Sequence, residues 1–236
     1  MHKVMAAAGV ASRRVCEDMI FDGRVEVNGE RCEIGAKVDP LGDIITVDGV
    51  VVGIDPTRET WLLNKPVGVI SSAADTHDRE VVTDLIDSTA RLFPVGRLDA
   101  DSEGLLLLTN DGGLAHRLMH PSHGVEKEYL VSVEGAPSRR ALRTLREGVE
   151  LDDGITAPAK VSTPADGMLR IVLHEGRNRQ IRRMCDAVGH PVLRLVRMRI
   201  GPLVDSTLAP GASRQLSSAE IRSLEEAAVR STTTER

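Results

Sequence analysis

Residues 94–104 form an acidic loop with a glycine near each end, and apolar runs flank it. Asp99, Asp101 and Glu103 lie in this loop, and Asp111 follows the second apolar run. Carboxylates at this density can hold a metal ion, or they can cap backbone groups in a turn. The spacing lacks the regularly alternating oxygen ligands and the closing bidentate Glu of a calcium loop. The residues alone therefore favour a capped turn, and a metal-dependent phosphoesterase that uses Asp99, Asp101 and Asp111 stays open as an alternative.

Basic side chains are concentrated in a second stretch, between residues 170 and 199. This stretch contains eight arginines and only two acidic residues, Glu175 and Asp186, so it carries a charge of +6. The arginines are Arg170, Arg177, Arg179, Arg182, Arg183, Arg194, Arg197 and Arg199. The whole chain has a net charge of −5, which argues mildly against a nucleic-acid partner. A segregated basic stripe matters more for phosphate binding than the sum of charges does, so the stretch favours such a partner.

A helix over residues 180–188 is expected to position several of these arginines. Its apolar residues follow helical spacing and define a buried face: Ile181, Met184, Cys185 and Val188. Arg179 and Arg183 lie four residues apart on the exposed side, where they suit phosphate. Arg182 and Asp186 are also four residues apart, so a plain intrahelical ion pair is one interpretation of Arg182.

Residues 1–48 are expected to form a small module of two helices and a hairpin. The first helix spans about residues 2–8, and Ser12 is a candidate N-cap for the second. Asn-Gly at residues 28–29, flanked by alternating valines, is a strong hairpin signal. Residues 49–60 contain glycines and a proline with charged residues, which indicates a linker.

Residues 61–230 contain short apolar runs that do not alternate strictly with helical segments. Strands are expected at 61–63, 105–108, 130–133 and 169–173, and further helices at 114–119, 138–147 and 218–229. This order indicates an α+β fold with a mixed, largely antiparallel sheet. Residues 231–236 have nothing to bury and are expected to be a disordered tail.

The N-terminal segments VMAAAGVASRR (4–14) and IFDGRVEVNG (20–29) resemble the alpha-L (S-four-type) RNA-binding domain. In that domain two helices lay basic residues along an RNA backbone. The resemblance implies this role for Lys3, Arg13 and Arg14, although a solvated helix face explains the same charges.

The acidic loop, read as GRLD at 96–99 and GLLLLTNDG at 104–112, is similar to the signature of bacterial rRNA pseudouridine synthases of the RsuA, RluB and RluF group. In this resemblance Asp99 occupies the position of the family's essential aspartate. Three further segments match in order: LNKPVG at 63–68, EKEY at 126–129 and EGRNRQIRRM at 175–184.

The resemblance implies that the protein isomerises uridine to pseudouridine, and that Asp99, Tyr129 and Arg182 are catalytic. Arg182 takes the place of the arginine that pairs with the catalytic aspartate, and Tyr129 can stack on the uracil. Without the resemblance, a half-buried sheet tyrosine is the favoured interpretation of Tyr129. The target uridine must be flipped out of its stacked helix before an enzyme can reach it. The resemblance implies that Arg97 fills the gap that the flipped nucleotide leaves. A supporting hydrogen-bonding role is the alternative for Arg97.

Further RNA contacts are expected from Lys127, Arg177, Arg179 and Arg183. The reaction has no redox step and loses no group, so no cofactor and no metal are expected. The expected partner is ribosomal RNA, 23S rather than 16S, because the tyrosine motif and the length are more similar to the large-subunit RluB branch. A monomer is expected. The competing interpretation is a non-catalytic RNA-binding ribosome assembly factor, which would not need Asp99 and Tyr129 together.

The chain shows no run of about 20 apolar residues and no secretory signal pattern at its N-terminus, which favours a cytoplasmic location. Its three cysteines, Cys16, Cys32 and Cys185, are far apart and indicate neither a disulfide framework nor a zinc site.

Overall fold

The computed structural model describes residues 1–39, 42–53, 58–75, 79–120 and 124–233, with side chains to residue 229. The chain divides into two compact units. The first comprises Met1–Arg58 together with Thr89–Arg91 and Asn110–Gly112. The second comprises Glu59–Ser88, Leu92–Thr109 and Gly113–Arg236.

The first unit contains two helices and four short strands. They are α1 (His2–Ala7), α2 (Arg13–Phe21), β1 (Val25–Val27), β2 (Glu30–Arg31), β3 (Ile45–Val47) and β4 (Val50–Val51), with sheet order β2-β1-β3-β4. Ser12 caps α2 as expected, because its side chain accepts a hydrogen bond from the backbone N–H of Val15 at 3.2 Å. The hairpin turn between β1 and β2 is made by Asn28 and Gly29, both with positive φ, as an Asn-Gly turn requires.

The sheet of the first unit extends beyond the module expected from the sequence. Strand β4 pairs with β3 and lies at Val50–Val51, within the expected linker 49–60, and residues 54–57 of that linker lie outside the described residues. Arg91 also belongs to this unit, where its Nη1 donates to the carbonyl oxygen of Ala11 at 2.7 Å.

The second unit is built on a nine-stranded sheet. Its strands are β5 (Thr60–Lys65), β6 (Phe93–Val95), β7 (Glu103–Thr109), β8 (Lys127–Val133), β11 (Lys160–Ala165), β12 (Met168–Leu173), β13 (Val192–Ile200), β14 (Leu203–Val204) and β15 (Ser213–Gln215). A separate hairpin is formed by β9 (Glu150–Leu151) and β10 (Gly154–Ile155). The helices are α3 (Gly112–Met119), α4 (Arg139–Glu147), α5 (Gln180–Ala187) and α6 (Ser218–Thr233), with a 3-10 helix at Val82–Leu85.

The central path of this sheet runs β11-β12-β8-β13-β7-β5-β15. All its pairs are antiparallel except β13 with β7. The expected α+β fold with a mixed, largely antiparallel sheet is therefore confirmed. Strand β7 has buried leucines on both faces, which explains why Leu105–Leu108 is apolar without alternation.

The C-terminal helix corrects one expectation. Helix α6 runs from Ser218 to Thr233 and so enters the segment expected to be a disordered tail, of which residues 234–236 lie outside the described residues. Leu224 and Ala228 of this helix pack in the core beside β7, and this burial stabilises the helix. Among the described residues, no helix has the length and apolarity that a membrane crossing requires.

Candidate active site

A cavity of about 970 Å³ in the second unit collects most of the candidate residues. Its walls come from the loop between β6 and β7, from β8 and β13, and from the segment that leads into α5. The sequence-derived candidates that line it are Arg97, Asp99, Lys127, Tyr129, Arg177 and Arg179. Arg182 and Arg183 do not line it.

The loop that carries Asp99 is held by a short set of hydrogen bonds. The hydroxyl of Ser71 donates to the carbonyl oxygen of Leu98 at 2.7 Å and accepts from its N–H at 3.0 Å. The N–H of Ser102 donates to the carbonyl oxygen of Asp99 at 3.0 Å. The backbone on both sides of Asp99 is therefore fixed, while its side chain is partly exposed to the cavity.

Lys65, at the end of β5, stabilises the same loop through hydrogen bonds to its backbone. Its side chain is fully buried, and its Nζ donates to the carbonyl oxygens of Ser102 at 2.8 Å and of Pro66 at 2.9 Å. Burial lowers the pKa of Lys65 to about 8, although the charges of Asp101 and Asp99 act in the opposite direction. Sequence reasoning assigned no role to this residue, and the available signal was a lysine two residues after the apolar run 61–63.

The arginine that approaches Asp99 is Arg179, not Arg182. Nη1 of Arg179 lies 3.7 Å from Oδ2 of Asp99, and the same side chain pairs with Asp101 at 3.1 Å. Arg179 is the N-cap of α5 and has a left-handed backbone conformation, with φ 46°. The loop before α5 therefore ends at Arg179, next to Asp99. The expected pairing of Asp99 with Arg182 is therefore wrong.

Arg182 instead holds the residues that follow Asp99. Its Nη2 donates to the carbonyl oxygen of Asp101 at 2.8 Å and to the hydroxyl of Ser102 at 3.2 Å. Its nearest carboxylate is that of Asp101, at 3.2 Å, so the intrahelical pair with Asp186 is not formed either. Burial by itself would raise the pKa of Asp101, but the hydrogen bond from Arg179 and the charge of Arg182 together lower it.

Two further arginines expected to contact RNA are engaged by the β9–β10 hairpin. Arg183 pairs with Asp152 and Asp153, and its side chain is only 24% exposed. Arg177 pairs with Asp153 at 3.2 Å and donates to the carbonyl oxygen of Ile155 at 2.6 Å. The hydrogen bond from Arg183 lowers the pKa of Asp153 to about 2. The exposed, phosphate-facing position expected for Arg183 is therefore corrected.

Strand β8 supplies Lys127 and Tyr129 to the cavity. Tyr129 is half-buried and packs against the core formed beneath β8 and β12. Nζ of Lys127 donates to the carbonyl oxygen of Val125 at 2.9 Å, and burial together with the charge of Arg197 lowers its pKa to about 8. Arg97, two residues before Asp99, is exposed at the cavity rim.

The remaining candidates lie in the first unit. Lys3 on α1, and Arg13 and Arg14 at the start of α2, have exposed side chains. They present three positive charges on this unit, which agrees with the basic helix starts read from the sequence.

Comparison with known families identifies a family model for each of the two units. Residues 59–187 match the model of the RNA pseudouridylate synthases, and residues 2–45 match that of the S4 domain. The match to the first model covers more than half of the chain. The chain therefore belongs to the RNA pseudouridylate synthase family, whose members isomerise uridine in RNA.

Individual relatives cover almost the whole chain. An uncharacterized RNA pseudouridine synthase of Mycobacterium tuberculosis is 49% identical over 96% of this chain and 93% of its own length. The ribosomal large subunit pseudouridine synthase B of Bacillus subtilis is 44% identical over 95% of this chain and 94% of its own. The dual-specificity RNA pseudouridine synthase RluF of Escherichia coli is 37% identical over 94% and 76%. A solved pseudouridylate synthase structure matches with a TM-score of 0.70 and 31% identity, over 94% of this chain and 98% of that one.

Proposed function

We propose that this pseudouridine synthase acts on a uridine of ribosomal RNA in the large subunit, with Asp99 as the essential catalytic group. The observation that carries the proposal is the cavity, in which Asp99 and Tyr129 come together with Arg179 at 3.7 Å from Asp99. Support for the substrate comes from the Bacillus subtilis relative, which is named for the large ribosomal subunit.

The reaction explains these residue types. The C1′–N1 bond of uridine breaks, the base rotates, C1′ joins C5, the proton on C5 leaves, and N1 takes up a proton. The carboxylate of Asp99 acts on the nucleotide, and the guanidinium of Arg179 lies 3.7 Å from it. Tyr129 stacks on the uracil and lies near the proton that must leave C5. The atoms of substrate and product are the same, so the proposal includes no cofactor.

The target nucleotide has to leave its helix before it reaches Asp99, at an energetic cost of a few kcal/mol. Arg97 is exposed at the rim of the cavity, where it is suited to fill the gap that the flipped nucleotide leaves. The exposed cations of the first unit, Lys3, Arg13 and Arg14, supply phosphate contacts that do not depend on sequence. The protein is proposed to act in the cytoplasm as a monomer.

A metal-dependent phosphoesterase is not favoured by the geometry. Asp101, one of its three proposed ligands, is paired with Arg179 and Arg182. Within the described ranges, no group of three His, Cys, Asp or Glu side chains is arranged to hold a metal ion.

The test is to map pseudouridines in the rRNA of a strain that lacks this protein, and then to restore the gene with wild type or with Asp99→Asn. One uridine of the large-subunit rRNA should lose its modification and regain it only with wild type. Asp166→Asn, an exposed turn residue, is the matched control and should restore it fully. A missing modification in 16S rRNA would overturn the subunit assignment, and full restoration by Asp99→Asn would overturn the role of Asp99. Unchanged rRNA that the protein nevertheless binds would favour the assembly-factor alternative.

A further inference from the structure

Arg197 is a buried cation inside the sheet that builds the cavity. On β13 it lies opposite Gly104 of β7 on one side and Tyr129 of β8 on the other. The residue is 3% exposed. Its Nε donates to the carbonyl oxygen of Leu105 at 2.6 Å, and its Nη1 lies 3.5 Å from the carbonyl oxygen of Arg97. Arg197 therefore links the strand after the Asp99 loop to the loop itself.

Arg197 differs from the other seven arginines between residues 170 and 199. Each of the seven has a carboxylate within 4 Å. Among the described residues Arg197 has none, and its buried Nη2 makes no hydrogen bond. The buried Nε of Arg182 also makes none, but Arg182 does not line the cavity. An unsatisfied buried donor costs about 1–3 kcal/mol, and more when it is charged. Such a group is expected where a ligand supplies the missing partner.

The residues that line the cavity indicate which ligand can supply the missing hydrogen-bond acceptor for Arg197. Arg197 lines it together with Asp99, Lys127 and Tyr129, and it is the direct cross-strand partner of Tyr129, so a base that stacks on Tyr129 lies beside Arg197. On the basis of the proposed role of Asp99, we propose that Nη2 of Arg197 donates a hydrogen bond to a carbonyl oxygen of the target uracil and stabilises the negative charge that develops there.

The chemistry of the reaction produces that charge. When the C1′–N1 bond breaks, its electron pair goes to the base and is delocalised onto the two carbonyl oxygens. The charge disappears when that electron pair forms the bond between C5 and C1′. Removal of the C5 proton and protonation of N1 then give the neutral product. A fixed guanidinium in a desolvated site stabilises this charge more effectively than water does, because it need not reorganise during the reaction.

A carbonyl oxygen fits the position better than a phosphate does. Arg197 is 3% exposed, whereas Arg97 and Arg179 are exposed where they line the same cavity. A phosphate carries a full charge and a large hydration shell, so it is better bound by the exposed side chains of Arg97 and Arg179. A flat base with two carbonyl oxygens can approach the buried guanidinium, and the nearby cation Lys127 adds to the positive potential there.

The test is a cycle that combines an enzyme change with a substrate change. Single-turnover rates are measured at saturating enzyme for wild type and Arg197→Met, on RNA with uridine, 2-thiouridine or 4-thiouridine at the target. Sulfur accepts hydrogen bonds weakly, so one of the two thio substrates should be slower in wild type. Arg197→Met should lower the rate on uridine by about 100- to 1000-fold, as removal of one such donor does. It should also discriminate about tenfold less between that thio substrate and uridine, whereas its RNA affinity should change less than threefold.

The proposal would be overturned if the effect of Arg197→Met and the effect of the thio substitution multiplied independently for both thio substrates. A purely structural role of Arg197 predicts that result, because such a residue does not recognise one particular oxygen. Arg194→Met is the control, since Arg194 lies on the same strand but is exposed and paired with Glu103 at 2.9 Å. If Arg197→Met does not fold, the same cycle is run with Arg197→Lys, which keeps the charge but loses the planar fork, and the same criteria apply. An active Asp99→Asn enzyme would refute the role of Asp99, whereas the cycle reports on Arg197 alone.

Discussion

Nη1 of Arg179 lies 3.7 Å from Oδ2 of Asp99, and it reaches there from the N-cap of α5 rather than from within the helix. The residue three positions further along, Arg182, is directed at Asp101 and Ser102. The two arginines therefore have different roles. Arg179 faces the proposed catalytic carboxylate, whereas Arg182 holds the loop that carries it.

This division predicts different defects for the two arginines. Arg179→Ala should lower the single-turnover rate at saturating enzyme by about 100-fold, the effect expected when a catalytic group is misplaced by about 1 Å. Arg182→Ala should lower the free energy of unfolding by about 1.5–3 kcal/mol, since it removes charge-assisted hydrogen bonds from the loop. Urea titrations and single-turnover assays separate the two effects. Equal rates for Arg179→Ala and Arg183→Ala would show that proximity to Asp99 has no catalytic consequence.

Gly104 should be sensitive to the smallest possible side chain. It has φ +105°, and an added Cβ would lie 2.3 Å from the carbonyl oxygen of Arg197, so β13 would have to move away from β7. Gly104→Ala should destabilise the protein by roughly 2–5 kcal/mol through backbone strain and overpacking.

Gly154→Ala is the matched control for that substitution. Gly154 has φ +103° but no atom within 4 Å of an added Cβ, so only the strain of roughly 1–2 kcal/mol is expected. Thermal or urea unfolding of the two variants measures the difference. Equal losses would mean that β13 and β7 tolerate the separation.

The buried Lys65 predicts a specific pH dependence of stability. Below pH 8 the lysine is charged in both the folded and the unfolded state, and burying the charge costs about 3 kcal/mol at roughly 1.4 kcal/mol per pKa unit. Its folded pKa is about 8 against an ordinary value of 10.5, so between these values the unfolded chain binds more protons and stability rises with pH. Lys65→Met should remove the contribution of Lys65 to this rise and leave that of Lys127, whose pKa is also lowered to about 8.

The measurement is the free energy of unfolding of wild type minus that of Lys65→Met, taken from urea titrations between pH 7 and pH 10. Burial raises the pKa of the Cys185 thiol to about 12, which lowers stability as pH rises above 9. That effect is common to both proteins and cancels in the difference. A difference that stays flat across this range would contradict a charged, buried Lys65.

The basic helix starts of the first unit predict a change in salt dependence. Replacing Lys3, Arg13 and Arg14 together by glutamine should reduce the slope of log K against log salt for RNA binding by about 2 to 3, because each phosphate contact contributes roughly 0.7–0.9. The rate at saturating enzyme should be nearly unchanged.

A charge-matched control for that variant exists on α4. Arg139, Arg140 and Arg143 are exposed, and among the described residues none of them has a carboxylate partner within 4 Å. Their replacement by glutamine removes the same net charge from a helix that carries none of the proposed RNA contacts. If both triple variants changed the slope equally, the effect would be one of net charge, and the N-terminal unit would have no specific role.

Local patterns in the sequence determined much of this protein. The capping serine at residue 12, the Asn-Gly turn at 28–29 and the apolar face of α5 depend on interactions within a few residues, so their expected positions agree with the structure. The loop around Asp99 and the strand motif of Tyr129 were recognisable as short segments with chemically specific residues. Their meeting in one cavity follows from the antiparallel pairing of β8 with β13 and the parallel pairing of β13 with β7.

Only the tertiary structure decided what the arginines do, because their partners are remote in sequence. The stretch from 170 to 199 carries a charge of +6 by itself. Strands β7 and β8, the Asp99 loop and the β9–β10 hairpin bring carboxylates to most of its guanidinium groups. Sequence spacing reports which residues share a helix face, but it does not report which charges a distant strand brings to that face. For the same reason the isolation of Arg197 inside the sheet, without a carboxylate among the described residues, could be recognised only after folding had assigned partners to the other seven.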